Sequence, residues 1–110
     1  MRALLLPLVM VTLSACGGPL GEGESLFGKG RYPEAKQALV AIEAESRGWS
    51  DARRAEYALY RGLTLGALGD RGRAAVWLRE AKAIEDTHPG ALSEQDARRL
   101  HIGLESHEGE

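Results

Sequence analysis

Residues 62–83 read GLTLGALGDRGRAAVWLREAKA, and the architecture of the chain follows from them. Gly62 and Gly69 lie seven positions apart around an apolar segment, and Asp70 follows directly. Gly69 permits the positive φ that ends one helix, and the Asp70 carboxylate caps the next. Beyond it Ala74, Trp77, Leu78, Ala81 and Ile84 recur at three- and four-residue spacing, which makes one apolar stripe on a helix. Small side chains at Gly62, Ala74 and Ala81 let two antiparallel helices approach closely. The segment therefore predicts the turn and second helix of a helical hairpin, with SDARRAEYALYRGLTLGAL as a long first helix capped by Ser50.

The same pattern occurs earlier in the chain. Residues 23–44, GESLFGKGRYPEAKQALVAIEA, align on it with Gly23 matching Gly62, Leu26 matching Leu65, Gly30 matching Gly69, Ala35 matching Ala74 and Leu39 matching Leu78. The offset is 39 residues, within the range of stacked helical units. Pro33 suits the first turn of its helix, and Ala35, Ala38, Leu39 and Ile42 repeat the stripe. A third, partial copy opens near DARRLHIGLE, since DARR stands at both 51–54 and 96–99.

This spacing resembles the tetratricopeptide repeat, in which a small residue in helix A, a glycine at the turn and an alanine in helix B precede a large apolar and a small residue. Gly62, Gly69, Ala74, Leu78 and Ala81 match every step; Gly23, Gly30, Ala35, Leu39 and Ile42 match less fully. The family's proline after helix B has no counterpart in the first copy and appears late, as Pro89, in the second. The resemblance implies an all-α fold, a short tetratricopeptide-like α-solenoid of about five helices over residues 23–106. Glycines at 21, 23, 28 and 30 shorten helix A of the first copy to one or two turns, around Glu24 to Lys29. A last helix opened by Ser93 and Asp96 brings Leu100 and Leu104 over the open end of the stack, and residues 107–110 fray.

Upstream of the repeats the chain reads as a leader. MRALLLPLVMVTLSA, residues 1–15, has one positive charge at Arg2, an uncharged run ALLLPLVMVTL, and small residues Ser14 and Ala15 at its end, the pattern of a secretory signal. As a helix that run rises about 16 Å, roughly half of a bilayer core, so a permanent span is disfavoured. LSAC, residues 13–16, resembles the lipobox of bacterial lipoproteins. What that implies is cleavage before Cys16, diacylglycerol on its sulfur, and a covalent lipid in place of any cofactor. The alternative is an ordinary secretory signal with an incidental cysteine. Residues 16–22, with glycines at 17, 18 and 21 and Pro19, read as a flexible tether. Gly17 follows the cysteine where an inner-membrane lipoprotein would carry Asp, so the resemblance implies the outer membrane, periplasmic face.

Composition bounds the function. The chain has 110 residues, enough for one domain, with 14 basic and 16 acidic residues and no block of like charge, which argues against a nucleic-acid partner. One cysteine makes no intrachain disulfide. His88, His101 and His107 are the only histidines, and six-residue spacing keeps the last two off one helical face, so solvated polar roles outweigh a metal site. No nucleophile stands with a recognisable base and no phosphate-cradling glycine loop follows a strand.

A binding role fits better. The resemblance implies a concave face lined by helix A, which carries over to Glu56, Leu59 and Leu63 with Tyr60 beside them. Leu59 and Leu63 either line that face or pack against the first copy, and Tyr60 fits an interface or a core edge. Arg54, Tyr57 and Arg61 share a helical face that either presents guanidinium groups to a carboxylate or lipid phosphate, or is simply solvated. The sequence thus predicts a lipid-anchored, noncatalytic adaptor holding an envelope protein or peptide. Alternatives are a small accessory subunit of an envelope enzyme, or a ligand or metal binder using the histidine-containing tail.

Overall fold

The computed structural model describes residues 18–108; the leader, Cys16 with its LSAC context, Gly17 and residues 109–110 lie outside the described part. Within it the chain is all-helical, with no strand among the described residues: α1 (Gly18–Gly28), α2 (Tyr32–Ala41), α3 (Glu43–Ser46), α4 (Asp51–Ala67), α5 (Arg71–Thr87) and α6 (Glu94–Glu108). No described helix is long and apolar enough to cross a membrane.

The 39-residue offset reappears as contacts. α1 packs on α2 and α4 on α5, and in each hairpin a glycine of the first helix lies under a leucine of the second. A Cβ at Gly23 would stand 2.5 Å from Leu39 Cδ2, and one at Gly62 would stand 2.6 Å from Leu78 Cδ2. Ala35 and Ala74 are both fully buried beside these contacts. Gly30 (φ 77°) and Gly69 (φ 86°) end the first helices in the left-handed region. The Asp70 carboxylate accepts from Arg73 N–H, as the sequence predicts, and Ser50 Oγ caps α4 by accepting from Arg53 N–H.

Three boundaries differ from the sequence-based expectation. α1 begins at Gly18, so residues 18–22 are helix rather than tether, and the helix has eleven residues instead of one or two turns. The reason is tertiary: Leu20 is buried in the core and Gly23 is needed for the approach of Leu39, so packing overrides poor glycine propensity. Second, the helix after Pro33 breaks at Ile42 (φ −111°, ψ 14°), which splits off the single turn α3 and gives six helices rather than five. Third, α6 continues through His107 to Glu108 instead of fraying at 107. The His107 ring covers Gly66, and Arg71 Nη2 donates to Ser106 O at 2.7 Å.

α6 lies against both α5 and α4. Tyr60 meets Asp96 and Arg99, Leu63 meets Gly103, and Gly66 meets His107, so α4 and α6 run parallel. Ser93 Oγ accepts from Asp96 N–H, and Leu100 is buried with Leu104 packed beside it. The preceding loop is tied by Glu85, whose carboxylate accepts from Gly90 N–H and Leu92 N–H; these bonds hold its carboxyl below the usual range. α4 is consequently flanked by every other helix, and both of its long faces are covered.

Candidate functional site

The residues predicted to meet a partner all sit on α4, and the helix distributes them over two faces. Arg54, Tyr57 and Arg61 point toward α3 and α5; Glu56, Tyr60 and Leu63 point toward α1 and α6. Leu59 lies between the faces and is wholly buried, so it belongs to the core and not to a concave surface.

On the first face the hydrogen-bond donors turn inward. Tyr57 Oη donates to Leu39 O at 2.6 Å, which links α4 to the first hairpin. Arg61 Nη1 donates to Tyr57 Oη and to Glu43 Oε1, both at 2.9 Å, while the guanidinium lies 4.5 Å over the Trp77 ring. At 8% exposure Arg61 is a buried cation held by one carboxylate and by the Trp77 and Tyr57 rings. It is therefore not a guanidinium offered to an incoming carboxylate, and the expectation for it and for Tyr57 is corrected: both are spent on joining helices. Burial pushes the Tyr57 phenol up, against the pull of Arg61.

Arg54 alone of that trio stays half-exposed, bonded to Asp51 Oδ1 at 3.1 Å and reaching Glu80 Oε2 at 3.5 Å. It stands at the edge of a cleft of about 290 Å³ between α3, α4 and α5. The floor is the Tyr57 and Trp77 rings, edge-to-face at 5.7 Å, and the walls carry Glu43, Arg47, Arg54 and Glu80. Val76 lines the same cleft and is 62% exposed. Nearby, Arg53 stacks 4.0 Å over Trp49, whose ring meets Tyr57 edge-on. An aromatic floor with cations and carboxylates on the rim can receive one apolar or cationic side chain. The volume is at the small end for a cofactor-sized ligand.

The second face is a half-buried polar cluster. Arg99 Nη1 donates to Tyr60 Oη at 2.6 Å and to Asp96 Oδ1 at 2.9 Å, and Tyr60 Oη in turn donates to Asp96 Oδ1 at 3.2 Å. Tyr60 is almost fully buried, with Phe27 of α1 edge-on at 5.7 Å, so its expected place in an exposed interface is also corrected. Burial, helped by the Asp96 charge, raises the Tyr60 phenol far above its ordinary value. Glu56 faces Glu24 of α1. Glu24 is pushed up to about 9 by burial first, then by its hydrogen bond with Glu56 and the charges of Glu56 and Asp96, with Arg99 opposing. Leu63 is half-buried against Gly103 of α6, a different neighbour from the first copy that the sequence suggested.

Trp77, Glu24, Asp96 and Arg99 complete these two places without having been singled out for them. Trp77 reads in the sequence as one more member of the α5 stripe, and Glu24 carries no local signal. The repeated DARR was a usable one: it forms the same i,i+3 ion pair twice, Asp51–Arg54 at 3.1 Å and Asp96–Arg99 at 2.9 Å. The histidines are dispersed. His88 pairs with Asp51 at 3.0 Å, His101 with Glu105 at 3.3 Å, and His107 packs on Gly66. Among the described residues no group of three or more His, Cys, Asp or Glu side chains is arranged to hold a metal. No known protein family, curated protein or solved structure matches the chain.

Proposed function

We propose that the chain is a noncatalytic adaptor of the bacterial envelope, held to the outer membrane through lipid on Cys16, whose tetratricopeptide-like helical domain binds a peptide segment of another envelope protein. The observation that carries this reading is the duplicated hairpin, with Gly23 under Leu39 and Gly62 under Leu78 at one 39-residue offset. Such hairpins stack through small-residue contacts and leave clefts along the stack for a partner chain. The cleft over Tyr57 and Trp77 is the place offered to that partner. Its mixed rim of Arg47, Arg54, Glu43 and Glu80 suits a peptide carrying both charge and an apolar side chain. The anchor rests on LSAC and on the uncharged run before it. Since α1 begins at Gly18, two peptide steps of about 3.8 Å after Cys16, an acylated Cys16 holds the helical domain directly at the membrane surface.

A photo-crosslinking residue at Val76, in cells, tests the partner half of this reading. The expected result is one dominant protein adduct from position 76 and none from the exposed Gln37 on α2. Absence of an adduct at 76, or equal labelling from both positions, overturns the cleft as the docking place.

A further inference from the structure

We propose that copies of this chain join head to tail, with Ile102 on α6 of one copy seated in an apolar groove between Val40 and Leu68 of the next. Four large apolar side chains are exposed among the described residues: Val40, Leu68, Val76 and Ile102. Val76 stands at the cleft over Tyr57 and Trp77. Val40 and Leu68 line a separate groove of about 690 Å³, completed by Pro33, Lys36, Gln37 and Ala41. α2 turns Ala35 and Leu39 inward, so this groove lies on its outer face. α6 likewise turns Leu100 and Leu104 inward and leaves Ile102, 64% exposed, on its outer face.

Charge selects a second copy as the occupant. Lys36, one turn before Val40, and the exposed Glu45, in the single turn beyond it, join no ion pair among the described residues. On α6 the exposed Arg98 and Glu105 flank Ile102; Arg98 also joins no ion pair there, and Glu105 meets only His101. From N- to C-terminus both strips therefore run cation, apolar residue, carboxylate. Antiparallel docking sets Glu105 against Lys36 and Arg98 against Glu45, whereas parallel docking sets like charges together. Lys36 lies about 6 Å along its helix from Val40, and Glu105 about 4.5 Å from Ile102, a difference that a lysine side chain spans. Ile102 supplies the buried surface and the two ion pairs fix the direction. Within one copy α2 and α6 do not meet, so the contact is heterologous: each copy offers a groove to one neighbour and Ile102 to another, and the row extends. A contact this small is weak and suits trapping. It does not depend on the adaptor reading.

Disulfide trapping in cells tests it on the full chain, with Cys16 in place in every variant. Val40→Cys and Ile102→Cys on one chain, treated with a mild oxidant, give a ladder of dimers and higher species on a non-reducing gel, several-fold above either substitution alone. Two differently tagged chains carrying one substitution each give the mixed dimer and no ladder. Adding Lys36→Glu to the doubly substituted chain lowers the yield several-fold, and Glu105→Lys on top of it restores the ladder; none of these positions is buried. The head-to-tail contact is overturned by a cysteine pair that yields no ladder, by single substitutions that crosslink as well as the pair, by a Val40→Cys adduct to a different protein in place of the ladder, or by a charge-swapped chain that stays as low as Lys36→Glu.

Discussion

Leu78 occupies the space that any side chain at position 62 would need. A Cβ there would also stand 3.1 Å from Ala74 O, a backbone atom that cannot swing aside. Gly62→Ala therefore destabilises the fold by about 1–3 kcal/mol despite the better helix propensity of alanine, as overpacking does. Gly21 and Gly28 are the counter-case, since nothing lies within 4 Å of a Cβ at either and neither has positive φ. Gly21→Ala should stabilise by roughly 0.5–1 kcal/mol, and denaturant unfolding of the three proteins checks both signs. Tyr57 poses a different question, because its hydroxyl both donates to Leu39 O and accepts from Arg61. Tyr57→Phe leaves the ring packing intact and removes both bonds, while Leu39 O keeps Ile42 N–H and Arg61 keeps Glu43, at a cost of about 1 kcal/mol in the same assay.

At the scale of elements, α1 and α4 differ in how they are held. α4 has a Ser50 cap, aromatic contacts on two faces and neighbours on every side; α1 relies on Leu20, Phe27 and the close approach of Gly23 to Leu39. Glu24 has a folded-state value of about 9, above its ordinary 4.5, so its contribution is complete below 4.5 and is lost as pH rises toward 9. Thermal unfolding should show a midpoint that declines over that window in wild type, with a shallower decline in Glu24→Gln. Removing the α4 cap acts without regard to pH: Ser50→Ala costs about 1 kcal/mol. The hairpin of α4 and α5 was legible in the sequence because a glycine turn, a carboxylate cap and a small-residue seam are all local signals. The start of α1 was not, since GPLGEG reads locally as loop and becomes helix only because Leu20 and Gly23 find places against α2. For α4 the spacing separated its two faces correctly. It did not reveal that α1 and α6 bury one while Trp77 and Glu43 cover the other, because Tyr and Arg suit a surface or a polar core equally well.

For the whole molecule, two hairpins at one offset and a sixth helix lying on both α4 and α5 leave little of α4 for a partner. Among the described residues the exposed large apolar side chains are Val76 at the cleft rim, Val40 and Leu68 on another side of the molecule, and Ile102 on α6. A partner seated in the cleft contacts Arg54, and Arg54→Ala should weaken capture several-fold with little loss of fold stability, since its ion pairs are half-exposed. The proposed anchor brings this rim to the membrane, and everything in that proposal passes through Cys16. The intact mass of the protein extracted from the bacterial membrane fraction is thus the most direct measurement. The proposed anchor predicts a chain beginning at Cys16 and carrying a diacylglyceryl group, with Cys16→Ala shifting the protein to the soluble fraction. A mass that retains residues 1–15, or an unmodified Cys16 in a protein that stays membrane-bound, would contradict it.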